Sequence, residues 1–492
     1  MTTKTKRTVV AGAMAVASLA LLFGFAGGSN LVFGLLQPKK ERRIDYSQAV
    51  PLQVSFEVRK PKKLRAKADL SCAEARDEQN AFAAYEAVRK MLSDGIDPET
   101  IPYLDCFLPD RLSSDDPQKI LSQFLGEVFE PNALYGYLQR KSEEHLHKVV
   151  QQGDLRHGSM AWGTGMLGNI ALVAYQRTGQ TRFVDLYVDF FERVMEMRDS
   201  VLGLHDDYHD RVMDAWGSAN LGRNAGDASL WVAHVTHFSI IMRPATGFAR
   251  LINEDPALAE YRPFAEDVID FFSTAYRQFD VDLRPAEGAD EVWFWRPLVN
   301  KFEATNHVHL QGQTLLNMYA ITGDEFYADR IRWIIRVFER GVEIDKDGYI
   351  AWNYFPYLQV PESMNDPNAR GYSEYVWKAG LTVPFLYEAV QAGFEVDPSI
   401  IAATTKTIRE HVVANNDLAH YFHPRNQGSI PEDAGRASII GFLSAATDDP
   451  AIEAQIIDII TTRRDLYPEG WLNSGRMALG YATQLNRDRS ER

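Results

Sequence analysis

From about Ala73 onward, apolar residues recur at spacings of three and four, the period of one buried helix face. Phe183, Leu186, Tyr187, Phe190, Phe191 and Val194 form one such stripe. The pattern predicts helices over 73–94, 117–128, 133–151, 160–177, 181–199, 228–254, 258–278, 305–321, 325–342, 374–392, 398–414, 433–446, 450–463 and 471–486. Pro and Gly gather between them, where helices stop. The alternation a strand needs is scarce, and Gly348–Tyr354 is its best short instance.

Two stretches echo each other. Ala174–Phe183 and Met318–Tyr327 share a tyrosine and a Thr-Gly pair, and each leads into an amphipathic segment containing Phe-Glu-Arg, at 191–193 and 338–340. The physical unit is helix, Thr-Gly turn, helix, with glycine supplying the left-handed residue that closes a helix. Units that cannot bury their apolar faces alone must stack on neighbours. Six or seven such hairpins either stack openly as a solenoid or close into a toroid, and periodicity does not choose between them.

The start of the chain has another character. Lys4, Lys6 and Arg7 precede an uncharged run from Thr8 to about Ala26; apolar residues resume through Leu36, and Lys39, Lys40, Arg42 and Arg43 stop them. This reads as a signal peptide or a membrane anchor. Gly24 and Ala26 suit a cleavage site loosely, whereas the span is long enough to cross a bilayer, so an uncleaved anchor is favoured. Basic residues are denser after the run than before it, which would hold an anchored body in the cytoplasm, a constraint that cleavage removes. The expectation is an extracytoplasmic, periplasmic body, divided as 1–37 (signal peptide or anchor), 38–70 (basic linker) and 71–492 (helical domain). The patch 58–67 is either a solvated linker or a contact for anionic lipid head groups.

Composition narrows the functional classes. The 492 residues are 45% hydrophobic and 24% charged, as in a folded soluble domain. The net charge is −15, but residues 1–67 carry 13 Lys and Arg against 3 Asp and Glu, leaving the rest at −25. A body this acidic repels a phosphate backbone, so nucleic acid is not an expected partner. The two cysteines, Cys72 and Cys106, exclude a cysteine-rich scaffold and leave open a single bridge. Dinucleotide, Walker, nucleophile-elbow and zincin motifs are absent, and no cofactor or metal is expected. The ligand-rich loop His205–Asp210 lacks the ladder of a calcium site and reads as a solvated turn.

The Thr-Gly hairpins resemble those of α/α-toroid carbohydrate-active proteins: polysaccharide lyases, unsaturated-glucuronyl hydrolases and the C-terminal domain of glucuronyl C5-epimerases. More narrowly, Trp162 to about Asp397 resembles a bacterial toroid group related to glucuronan and alginate lyases. The resemblance rests on His237 opening HFSIIMRPATGFARL, on Asn306-His307 opening the helix before the Thr-Gly-Asp turn, and on the aromatic segment YIAWNYFPY from Tyr349 to Tyr357. It implies an all-α toroid, (α/α)6–7, acting on an acidic polysaccharide or oligosaccharide. Where the group tends to carry Glu-Asp-x-Ser-His, this chain has Glu374-Tyr375-Val376-Trp377-Lys378, so Lys378 replaces a histidine.

Uronate chemistry sets explicit demands. Removing the C5 proton beside a carboxylate requires that carboxylate to be neutralised, a base to take the proton and an acid to protonate the leaving oxygen. His237, Asn306, Tyr354 and Arg370 are the candidate catalytic set. Trp216, Arg243, His309, Tyr349, Trp352, Tyr357, Glu374 and Lys378 are candidates for substrate binding, aromatic faces stacking on sugar rings. Plainer alternatives exist: Asn306 as an N-cap and the aromatics of 349–357 as packing, while His234, one turn before His237 on the same helix face, reads as a core histidine. His307 and His309 lack the spacing of a zinc pair. Elimination gives a lyase and reprotonation from the other face a C5-epimerase. A glycoside hydrolase using paired carboxyls drawn from Asp214, Asp227, Glu303 and Glu374 is the rival enzyme. A non-catalytic, membrane-anchored glycan-binding or assembly protein is the third possibility.

Overall fold

The computed structural model describes residues 70–127, 130–151, 158–285, 292–299, 301–356, 374–424 and 437–462. The expected helix 471–486 and the expected N-terminal signal peptide or anchor lie outside these residues. Among the described residues, no helix is long and apolar enough to cross a membrane.

The longer helices are α1 (Ala81–Ser93), α2 (Pro117–Glu127), α3 (Pro131–Gln151), α4 (Ser159–Thr178), α5 (Arg182–Met195) and α6 (Val235–Glu254). They continue as α7 (Arg262–Ala275), α8 (Thr305–Thr322), α9 (Glu325–Gly341), α10 (Val376–Gln391), α11 (Pro398–Thr407) and α12 (Pro450–Thr462), with a 3₁₀ segment at Ala437–Thr447. Two kinds of helix alternate. α5, α7 and α9 bury one stripe and leave the other face wet, the pattern of an outer layer. α6 and α8 are buried on nearly every side, as an inner layer requires.

Packing follows that alternation. α4 packs on α6, α6 on α8, α8 on α10 and α10 on the 3₁₀ segment, while α5, α7, α9 and α11 each pack on the inner helix before them. The circuit closes: α12 packs on both the 3₁₀ segment and α2, α2 on α1, α1 on α3, and α3 on α4. The described helices therefore form a toroid of helical hairpins rather than an open stack. The two echoing turns have one geometry. Gly179 and Gly323 both take φ of 64° and donate their N–H groups to Tyr175 and Tyr319. The preceding Thr178 and Thr322 hydroxyls reach back to the carbonyls of Ala174 and Met318.

Because each outer helix carries the chain back, α4, α6, α8 and α10 begin at one rim. Their N-cap residues are Gly158, His234, Ala304 and Tyr375. Two small sheets border this rim. Val292–Arg296 pairs with Leu283–Pro285 and with Lys301–Phe302, and Ile350–Trp352 pairs with Val342–Ile344. The second is the strand expected within Gly348–Tyr354. The helix expected from residue 228 starts later because Val232–Ala233 pairs with Gly217–Ser218 as extended chain.

The His205–Asp210 turn is solvated only at its ends: His205 and Asp210 are exposed, whereas Asp206 and the His209 ring are buried. Asp206 is fully buried, accepting hydrogen bonds from the backbone of Tyr208, His209 and Ala233. His209 Nδ1 lies 2.9 Å from Asp206 and Nε2 lies 3.1 Å from Asp282. Burial disfavours the charged ring, but the two carboxylates outweigh it and hold the pKa up at about 9. A folded pKa above the unfolded value stabilises below the latter and is lost as pH rises through the former. Stability is expected to fall by about 3 kcal/mol between about pH 6 and pH 10. Denaturant titrations at both pH values check this, and His209→Gln should flatten the difference.

Candidate functional site

The rim concentrates titratable side chains because three inner helices each bring one or two of them at their N-terminal ends. Glu303, immediately before α8, is the centre and is fully buried. Its backbone is clamped: the N–H donates to Phe294, and the Trp293 indole donates to its carbonyl at 2.8 Å. Its carboxylate receives the Ala304 N–H at 2.9 Å and faces His307 Nδ1 at 2.7 Å, Arg296 at 3.1 Å and His234 Nε2. Burial alone would raise its pKa; His234, Arg296 and His307 overcome it and hold Glu303 well below the carboxylate range. Arg296 sets a fixed positive charge beside this carboxylate. Among the described residues, no three His, Cys, Asp or Glu side chains are arranged to hold a metal ion.

His237 lies in the first turn of α6, its ring centroid 5.4 Å from that of His234. Burial, together with the positive potential of His234, His307 and Arg296, pulls its pKa down to about 3. It is a neutral imidazole under ordinary conditions. Its ring rests against Gly158, where a Cβ would stand 2.6 Å from two ring atoms.

Tyr354 closes the other side. Its carbonyl accepts from Thr305 N–H at 2.9 Å, stitching the strand Ile350–Trp352 to the start of α8. The His307 and Tyr354 ring centroids are 6.3 Å apart, and Lys378 Nζ lies 3.4 Å from the Tyr354 centroid. Burial pushes the phenol up to about 12, with Glu303 and Glu374 adding to burial and Arg296 opposing it. Glu374, buried ahead of α10, is raised by burial against the pull of Lys378. Burial in turn lowers the Lys378 ammonium. Trp162 on α4 completes the visible wall, its ring 6.2 Å from His307.

The sequence-derived candidates separate into three groups. His237, Tyr354, Glu374 and Lys378 belong to this cluster, and Asn306 adjoins it in the first turn of α8. Asn306 is not the N-cap of α8, which is Ala304, and its buried Oδ1 has no hydrogen-bond partner. Other candidates are placed in packed surroundings that leave no ring face for a sugar. Trp216 donates its indole N–H to Val194 and packs on Phe238 and Phe271. His309 sits fully buried between Phe338 and Phe385, and Trp352 between Phe338 and Phe422. Arg243 lies further along α6, facing the charge of Glu388 on α10. Tyr349 stands at the outer hairpin beside Glu410 and Lys406. Arg370 and Tyr357 lie outside the described residues.

Arg296, His307 and His234 are members of the cluster that lie outside the catalytic and binding candidates read from the sequence. Arg296 ends an aromatic strand, and nothing local in the sequence signals its contact with Glu303. Of the four candidate carboxylates, Glu303 and Glu374 belong to the cluster.

No family model matches the chain, and no curated protein matches it. Among solved structures, it is similar to an inactive variant of the α-1,6-mannanase of Salegentibacter sp. HEL1_6 in complex with α-1,6-mannotriose. That likeness has 12% identity and a TM-score of 0.43 over 71% of this chain and 99% of that one. It is also similar to a polysaccharide lyase, with 11% identity and a TM-score of 0.41 over 73% and 99% of the two chains. A third is the cellobiose 2-epimerase from Spirochaeta thermophila, with 11% identity and a TM-score of 0.42 over 67% and 86%. Likeness at this level assigns no reaction.

Proposed function

We propose that this rim removes the C5 proton of a uronic-acid unit in an acidic glycan, acting as a β-elimination lyase or a C5-epimerase. One observation carries the reading: a neutral imidazole, His237, and a neutral phenol, Tyr354, share a cluster with the cations Arg296 and Lys378. Those are the parts that proton abstraction beside a carboxylate demands. Arg296, Lys378 and the N-terminal ends of inner helices offset the substrate carboxylate and the charge that develops on it. His237 accepts the C5 proton, the bound substrate carboxylate supplying the negative charge that raises its pKa from the free-site value. In elimination the C5–H electron pair becomes the C4–C5 double bond as the C4–O4 bond breaks, and Tyr354 gives its proton to O4. In epimerisation a proton returns to C5 from the opposite face and no bond to oxygen breaks. Glu303 touches no substrate in this scheme; it positions His234, His307 and Arg296.

The test is incubation with glucuronan and alginate. A lyase produces ultraviolet-absorbing unsaturated uronates, whereas an epimerase exchanges solvent deuterium into C5 without shortening the chain. Reducing ends without absorbance or exchange would sink proton abstraction. They would favour glycoside hydrolysis, for which one observation speaks: Glu303 and Glu374, both close enough to act on Tyr354, are pushed in opposite directions.

Gly158→Ala probes the base separately. The added methyl meets the His237 ring, and φ of 69° strains any side chain. The expected result is a loss of about 1–2 kcal/mol of stability and at least about a tenfold fall in turnover. Thermal melting beside initial rates separates the two effects.

We further propose an extracytoplasmic location, with 1–37 as signal peptide or anchor, 38–70 as linker and the helical domain from 71. The Cys72–Cys106 disulfide supports it, since such bridges persist in oxidising compartments.

A further inference from the structure

The inner helix α4 breaks its own pattern at the rim. Ala161, Thr164, Gly165, Leu167 and Gly168 are buried, as its place in the inner layer requires. Trp162 is nonetheless 38% exposed, and Met166, one turn on and on the same face, is 47% exposed. An inner helix turns apolar side chains to solvent only where the layer borders an open space. That face begins beside the reactive cluster, because the Trp162 ring is 6.2 Å from the ring of His307, which is bound to Glu303. Core packing does not account for so open an indole, and the charged cluster alongside it is better suited to a glycan than to an apolar partner surface.

We infer that Trp162 is the platform on which the sugar unit next to the reacting uronate stacks, making it a specificity-determining residue that selects a glycan chain over a free uronic acid. This rests on the uronate reading of the adjoining cluster. The indole offers its apolar face to the C–H face of a pyranose ring, and Met166 extends that surface by a flexible thioether. Stacking distant from the bond that changes contributes equally to ground state and transition state, so it acts on KM rather than on kcat.

The experiment compares wild type, Trp162→Phe and Trp162→Ala on glucuronan oligosaccharides of graded length and on neutral mannan oligosaccharides as a second probe. Initial rates, calorimetric binding and melting temperature are measured for each. Burial of one indole face predicts that Trp162→Ala raises KM for the glucuronan oligosaccharides about 10- to 30-fold, with kcat changed by less than about threefold. Trp162→Phe should fall between, and any drop in melting temperature should be small, because the 38% exposed indole makes only part of its contacts with the fold. A Trp162→Ala enzyme with wild-type KM and affinity overturns the platform and leaves the uronate reading standing. Retention of only the neutral oligosaccharides, lost in Trp162→Ala, supports the platform and removes the uronate reading. Binding of neither probe by wild type overturns the platform as well.

Discussion

Glu303→Gln is expected to reduce turnover at least about 100-fold and to destabilise the fold by about 3–5 kcal/mol. The substitution keeps the side chain's volume and removes its charge. Arg296 then stays in a buried pocket with no carboxylate, and His234 and His307 lose the acceptor that orients them. Breaking one partner of a buried ionic group costs more than the group contributes as a whole, because the remaining charge is stranded away from water. The loss of turnover follows separately, from Arg296 and His307 drifting out of register with Tyr354 and the substrate carboxylate. Denaturant titration and initial rates on the same preparation measure both effects. A Glu303→Gln protein of wild-type stability would mean that water, not the Glu303 carboxylate, holds the cluster together. The sign with pH is fixed as well. Because the folded Glu303 pKa is depressed, its contribution is present above the unfolded carboxylate value and fades as pH falls toward the folded one. The Glu303→Gln variant should lack that component of acid sensitivity.

Removing the Cys72–Cys106 bridge should cost about 4 kcal/mol. The bridge joins residues 34 positions apart, and closing a loop of that span removes roughly that much entropy from the unfolded chain. The effect should be local at first. A satellite core gathers Ala81, Tyr85, Val88, Leu92, Ile101, Leu104, Phe107, Ile120 and Phe124, apart from the main core of the inner helices. Tyr85, Phe107 and Phe124 pack there as an aromatic trio. Cys72→Ser with Cys106→Ser, or reduction of the native protein, should lower hydrogen-exchange protection over 81–124 before it does so in α6 and α8. Equal protection in the oxidised and reduced forms would refute a stabilising role for the bridge.

The helices were legible because inner and outer layers impose the same period. The expected 305–321 and 325–342 match Thr305–Thr322 and Glu325–Gly341 closely, since Gly323 ends one and Asp324 caps the next through Phe326 N–H. Closure into a ring was not legible, because the contact of α12 with α2 joins distant parts of the chain and leaves no local pattern. In the site, Glu374 and Lys378 were legible beside a helix start, Tyr354 as part of the aromatic segment 349–357, and His237 through the resemblance alone. Glu303 was obscured by a chain holding 67 Asp and Glu, since what distinguishes it is burial among three cationic or imidazole groups, a property of the folded state. Trp216, Trp352 and His309 show the converse. An aromatic or imidazole group fills a core as readily as it binds a ligand, and composition cannot separate the two.

The meeting of Pro450–Thr462 with Pro117–Glu127 bears on how the molecule is made. During synthesis every chemically important side chain emerges before the last arc of the circle does. Closing the circle is therefore a long-range event that waits for the last of these helices, and until then the apolar edges of Pro117–Glu127 and its neighbours lack their covering helix.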